Sequence, residues 1–142
     1  MQFFEHISLL KSAYTTCTKP ACERWQLTQM EFDVLMFLAN NPQFDTAAEI
    51  VKLRKLTKSN VSVALKQLAA RDLLEPYYQD GNRKTLHLRL LPAAAPILED
   101  GHAAQARFGA ILFGGFSSSD LAQFQSMMER ISGNVRQFMQ EV

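Results

Sequence analysis

Residues 57–71 read Thr57-Lys58-Ser59-Asn60-Val61-Ser62-Val63-Ala64-Leu65-Lys66-Gln67-Leu68-Ala69-Ala70-Arg71. Val61, Ala64, Leu65 and Leu68 fall at i, i+3, i+4 and i+7, so one face of a helix is apolar and is expected to be the anchored one. Thr57 is suited to cap its start. The opposite side carries Ser59, Ser62, Val63, Lys66 and Ala70, with Lys58 and Asn60 near the amino end. The stretch therefore reads as a rod with a greasy side held inward and a small, polar side free to enter a groove.

Outward from this rod the pattern is regular. Upstream, Asp45 or Thr46 caps a short helix from Ala47 to Leu53 with Ile50 and Leu53 facing inward, and Arg54-Lys55-Leu56 makes a brief turn. Downstream, Leu74 to Gln79 and Thr85 to Leu91 read as strands flanking the basic tip Asp80-Gly81-Asn82-Arg83-Lys84. Within the second strand Thr85, His87 and Arg89 alternate with Leu86, Leu88 and Leu90, the period of a half-buried strand. Short helix, turn, helix and hairpin make a helix-turn-helix with an appended wing.

Further out, Thr28 and Glu31 form a capping box for a helix that is apolar on most sides and ends at Asn40-Asn41-Pro42. Phe3, Ile7, Leu10, Tyr14 and Cys17 make a helical stripe in the first segment, which Thr18-Lys19-Pro20 is expected to end. Pro92 opens a helix reaching about Phe113, broken by Gly114-Gly115. Ser117 and Asp120 then start a last helix, in which Leu121, Phe124, Met128, Ile131, Val135, Phe138 and Val142 alternate at gaps of three and four. That is a heptad-like seam, and it needs a partner surface.

The chain of 142 residues has 47% hydrophobic residues, with few Gly and Pro, which suits one packed domain. No apolar run is long enough to span a bilayer, and the start lacks the pattern of a signal peptide, so a cytoplasmic protein away from membranes is expected. The net charge is only +1. Yet residues 50–90 hold nine Lys and Arg against three acids, a local +6, while the remainder carries −5. A basic middle is what a polyanion-binding face produces. Gly-rich phosphate loops, His-Glu-x-x-His helices and nucleophile elbows are absent, so an enzyme is not expected. His6, His87 and His102 lie on three separate elements, and neither a metal nor a cofactor is expected.

A helix fits the major groove of B-DNA, and its solvent-side residues near the amino end meet base edges. Ser59, Asn60 and Ser62 are short donors and acceptors there, Val63 suits a thymine methyl, and Lys58 and Lys66 suit phosphates or guanine. The tip residues Asn82, Arg83 and Lys84 suit a neighbouring minor groove or its phosphates.

In this order the pieces resemble the MarR-type regulators. The resemblance is carried by Leu27-Thr28, Thr46-Ala47-Ala48-Glu49-Ile50-Val51, Lys58-Ser59-Asn60-Val61-Ser62, Leu68-Ala69-Ala70-Arg71-Asp72-Leu73-Leu74, the wing Asp80 to Lys84, and Leu88-Arg89-Leu90-Leu91-Pro92-Ala93. It implies a mainly α (α+β) fold: one MarR-like domain over residues 1–142, with a winged helix-turn-helix over 27–91. Residues 1–26 and 92–142 would form a helical dimerisation stem, built on Phe3, Ile7, Leu10, Tyr14, Leu121, Phe124, Met128, Ile131, Val135 and Phe138. It also implies a homodimeric repressor on a pseudo-palindromic double-stranded operator, with an affinity altered by a small apolar or aromatic effector. Asp80 matches the wing acid that steadies the minor-groove arginine, here Arg83. Three positions depart from the family pattern: Val63 where Arg is frequent, Asp72 where Gly is usual, and Leu91 where a capping Thr is common.

The aromatic side chains Tyr14, Trp25, Phe32 and Phe108, with Phe4 and Phe116, are candidates to line an effector pocket. Cys17 and Cys22 allow an alternative, redox-responsive regulator, although Cys17 extends the apolar stripe. A further alternative is a winged-helix module that binds proteins in place of specific DNA.

Overall fold

The computed structural model describes residues 2–142. Helix α1 covers Phe3–Trp25, α2 Gln29–Asn40, α3 Ala47–Arg54 and α4 Lys58–Ala70. Strands β1 (Leu74–Tyr77) and β2 (His87–Leu90) follow, then a 3-10 turn at Pro92–Ala94 and the helices α5 (Ala95–Leu112) and α6 (Ser118–Gln140). Two compact units result, Met1–Phe108 and Gly109–Val142.

Local chemistry explains most of the boundaries. The Thr28 hydroxyl accepts from the Glu31 amide at 3.1 Å, and the Glu31 carboxylate accepts from the Thr28 amide at 2.8 Å, closing a reciprocal box. Thr46 and Glu49 repeat this at α3, and Ser117 and Asp120 at α6. Thr57 starts α4 by accepting from the Asn60 amide at 3.3 Å. After α4, Asp72 takes the left-handed conformation (φ 57°) that a Gly would adopt without strain. No side chain caps the turn that begins after Leu91; Pro92 supplies the preset φ instead.

Two expectations are corrected. Helix α1 does not stop near Pro20 but runs on to Trp25, with Pro20 inside it. Burial of Cys17, Thr18, Ala21 and Cys22 holds this last stretch in place, and the Thr16 carbonyl that loses a partner lies at an exposed residue. Gln26, at φ 53°, ends the helix. In α3, Ile50 is fully buried but Leu53 remains 45% exposed. Three residues on from Ile50 is about 60° off the buried direction, and Val51 and Leu56 pack against the core in its place.

The core of the first unit is centred on α2, where Phe32, Val34, Leu35 and Met36 are almost wholly inaccessible. Against it lie Ile50 of α3, Val61, Ala64, Leu65 and Leu68 of α4, and Leu73, Leu74, Leu88, Ala94 and Ile97. The strands pair antiparallel with Leu74 opposite Leu90 and Tyr77 opposite His87. They are shorter than the sequence pattern suggests. Strand β2 also meets the segment before α3, through a bridge between Thr46 and His87 and a 2.8 Å bond from the Leu88 amide to the Asp45 carbonyl.

In the second unit Phe113 packs edge-on against Phe116 and Phe124. Leu121, Phe124, Met128, Ile131, Val135 and Phe138 of α6 are each 40–59% exposed. In the first unit Phe3, Phe4, Leu9 and Leu10 of α1 are likewise exposed.

Gly101 of α5 sits against Met36, whose sulfur would collide with any Cβ, and a Cβ would also come within 3.2 Å of the Phe32 ring. Gly101→Val is expected to destabilise the protein by about 1–3 kcal/mol through overpacking, despite removing a helix glycine. Urea denaturation measures this.

Candidate nucleic-acid interface

Helix α4 presents two unlike sides. Val61, Ala64, Leu65 and Leu68 are buried, whereas Lys58, Ser59, Asn60, Ser62, Val63 and Lys66 are exposed, Val63 by 61%. The helix begins at Lys58, and with the Asn60 amide capped by Thr57 the Lys58 and Ser59 amides of the first turn are left without an intrahelical partner, at an end whose positive potential favours an anion. A cleft of about 680 Å³ lies between α3, α4 and the hairpin. Val51, Val61, Leu65 and Leu88 give it an apolar lining, to which Lys58, Lys66 and Lys84 add three ammonium groups and no acid is added.

The hairpin tip is shaped by local bonds. Gly81 has φ +77°, a left-handed turn position. The Asn82 side-chain oxygen accepts from the amides of Lys84 at 2.9 Å and Thr85 at 3.4 Å. Asp80, Asn82, Arg83 and Lys84 are all exposed. The Arg83 guanidinium lies 5.9 Å from the centre of the Tyr78 ring, and among the described residues no ion pair joins it to Asp80.

The base of the hairpin is tied to the segment before α3. His87 Nδ1 lies 2.9 Å from one Asp45 carboxylate oxygen, and the Tyr77 hydroxyl donates to the other at 2.9 Å. Burial alone would push the Asp45 carboxyl up, but the bonds from His87 and Tyr77 outweigh it and hold the carboxyl below its ordinary range. His87 stacks on Tyr77, and Arg89 covers that ring at 4.1 Å while pairing with Glu75 at 2.8 Å. Sequence reading missed this cluster. Its members come from two separated segments, and only the charged and aromatic residues in β1 and β2 hinted at it.

Elsewhere in the first unit a hollow of about 400 Å³ is lined by Leu10, Lys11, Tyr14, Thr15, Gln29, Asp33, Arg54 and Phe108. Of the aromatics singled out from sequence, Tyr14 and Phe108 meet edge-to-face there. Phe32 is sealed in the core, and the Trp25 indole donates to Asp100 at 2.7 Å. Phe4 and Phe116 are exposed. Burial pushes the Asp33 carboxyl up, against the hydrogen bond from Gln29 and the charge of Arg54. Asp33 was not foreseen; an acid set between Phe32 and Val34 in the apolar run of α2 was the available signal. Cys17 and Cys22 are free and buried, and burial together with nearby Asp33 pushes the Cys22 thiol up, away from a reactive thiolate. Among the described residues no three His, Cys, Asp or Glu side chains gather as a metal site, and no helix is long and apolar enough to cross a membrane.

Residues 25–83, from the end of α1 to the wing tip, match the model of the MarR family. The match covers less than half of the chain. The fold agrees over nearly all its length. A protein from Listeria monocytogenes assigned to the MarR family of transcriptional regulators, solved with a 26mer DNA, superposes with a TM-score of 0.84 at 16% identity, over 95% of this chain and 89% of that one. MepR of S. aureus, in its DNA complex, gives 0.76 at 15% identity over 95% and 98%. A MarR regulator from Methanosarcina mazei gives 0.78 at 17% over 94% and 96%. No curated protein matches the chain. In this chain the exposed side of α4 and the hairpin tip each combine positive charge with short polar groups.

The folded Asp45 carboxyl is held below its unfolded value, so its contribution to stability is full above about pH 4 and is lost as pH falls through the folded value. Acid unfolding followed by circular dichroism is expected to show a smaller loss of stability between about pH 5 and pH 2 in Asp45→Asn than in the parent protein.

Proposed function

We propose that the protein is a sequence-specific, double-stranded-DNA-binding transcription regulator: a cytoplasmic, homodimeric repressor on a pseudo-palindromic operator, and not a catalyst. One observation carries this reading. Helix α4 is anchored by Val61, Ala64, Leu65 and Leu68 and leaves Lys58, Ser59, Asn60, Ser62, Val63 and Lys66 free on the other side. A helix so presented fits the major groove, with its amino end toward the bases. The wing, through Asn82, Arg83 and Lys84 with Asp80 beside them, reaches the adjacent minor groove, where negative potential favours Arg.

Residues 27–91 are then the DNA-gripping part, and residues 1–26 and 92–142 serve dimerisation. The apolar stripe of α6 from Leu121 to Phe138, and Phe3, Ile7, Leu10 and Tyr14 of α1, are the faces we assign to a second copy. Exposed contiguous apolar surface of this kind is costly in water unless covered. The hollow beside Tyr14 and Phe108 is the place we assign to a small apolar or aromatic effector.

Fluorescence anisotropy tests the DNA reading, using the duplex that the protein enriches from a random-sequence library. Affinity is expected to fall steeply as salt rises, because bound phosphates release counterions. Arg83→Ala is expected to weaken binding to most duplexes, whereas Asn60→Ala and Ser62→Ala change the preferred sequence, by about 1–3 kcal/mol at a contacted base. No duplex binding at low salt would point to the protein-interaction module instead.

Sedimentation tests the assembly. The parent is expected to be a dimer at micromolar concentration, and Ile131→Glu, which puts a charge in the α6 stripe, is expected to shift it toward monomer. A parent that sediments as a monomer would exclude the dimeric reading.

A further inference from the structure

Helix α4 carries a fixing at its carboxyl end that the DNA reading does not use. The Arg71 guanidinium donates through Nη2 to the Trp25 carbonyl at 2.7 Å and through Nη1 to the Gln26 carbonyl at 3.0 Å. These two carbonyls close α1, where a helix leaves its last C=O groups without intrahelical partners. A planar guanidinium satisfies both at once, which an ammonium group cannot do with the same geometry. The connection continues from the same turn of α1. The Trp25 indole N–H donates to Asp100 Oδ2 at 2.7 Å, and Arg24 Nη1 donates to the same oxygen at 2.6 Å. These bonds hold the Asp100 carboxyl below its ordinary range. One hydrogen-bonded line thus runs from α5 through the end of α1 to the end of α4.

We propose that Arg71 is a positioning residue for the recognition helix, setting the angle at which α4 is offered to DNA and coupling that angle, through Trp25 and Asp100, to helices α1 and α5. This rests on the DNA-binding reading given above. The mechanical case is simple. Thirteen residues make a rod of about 20 Å, so Arg71 is too far from Lys58, Ser59 and Asn60 to share their contacts. A tilt of about 5° at the Arg71 end would move the amino end by roughly 1.7 Å, whereas functional geometry tolerates only about 0.5 Å. The apolar face of α4 keeps the rod from rolling about its axis, and the fork on Trp25 and Gln26 limits the tilt that side-chain packing alone leaves soft. Tyr14 and Phe108, which line the hollow, lie on α1 and α5, the two helices that this line joins to α4.

The test separates positioning from a plain phosphate contact. Arg71→Lys keeps the charge and loses the fork; Arg71→Ala loses both. On the duplex enriched by the parent, both variants are expected to bind about tenfold more weakly, with the slope of log affinity against log salt unchanged. Asp100→Asn is expected to weaken binding in the same direction, and Asp100→Asn with Arg71→Lys to lose less than the product of the single losses, because the line is already broken. The single tryptophan gives a second readout. Emission of Trp25 is expected to shift in Asp100→Asn and in Arg71→Lys, with the urea midpoint of the latter close to that of the parent. Positioning is overturned if Arg71→Lys binds as tightly as the parent, or if Arg71→Ala lowers the salt slope by about one, the mark of a lost phosphate contact. A parent that binds no duplex would overturn the DNA reading and the positioning role with it, which distinguishes the two failures.

Discussion

The polar surface that we propose meets DNA depends on the burial of one side of α4. Val61, Leu65 and Leu68 are each 9% exposed or less, and burying such side chains contributes roughly 1.5–3 kcal/mol apiece. Rolling the helix by one residue, about 100°, would bring those groups into water and turn Ser62 and Lys66 toward the core, where an unpaired polar or charged group is costly. The orientation of the polar side is thus a consequence of the packing of the apolar side. Thr57 fixes where the helix begins, and so which residues form its exposed first turn.

The wing is held by a different means. A two-stranded sheet is marginal in water on its own, and β1 and β2 have four residues each. What secures them is a third stretch of backbone, residues 45–47, bonded to the free edge of β2. The Asp45 carboxylate, which takes up both His87 and Tyr77, adds to this. Asp45 precedes the Thr46 cap of α3, so the same few residues start a helix and anchor a hairpin. The position of Arg83 follows from the base of the hairpin as much as from the turn at its tip.

Local signals make much of this legible in the sequence. The boxes at Thr28–Glu31 and Ser117–Asp120 are short-range chemistry, and the stripe Val61–Ala64–Leu65–Leu68 is pure periodicity; the folded chain has both. Pro20 misled because its cost is local while its compensation, the burial of Ala21 and Cys22 against the core, is not. Leu53 misled because eight residues of α3 are too few for a period to separate one apolar neighbour from another. The Asp45–Tyr77–His87 cluster and the Arg71 fork join residues about thirty to forty-five positions apart, and no spacing rule reaches that far. For the same reason the hollow yielded Tyr14 and Phe108 to inspection of aromatics but not Asp33, Gln29 and Arg54.

Charge and symmetry bear on each other in the proposed reading. A chain of net charge +1 has little long-range pull on a polyanion, so attraction must come from the local excess of residues 50–90, with Lys58, Lys66, Arg83 and Lys84 all exposed. A single such patch neutralises only a few phosphates, and each contributes modestly at physiological salt. Linking two patches through one stem makes the second contact intramolecular, and this raises affinity by orders of magnitude without a new bond, provided the geometry lets both engage. That proviso makes the angle of α4 matter. In a linked pair, a small tilt at each recognition helix changes the spacing between two reading heads, so a fork at Arg71 acts on both half-sites at once.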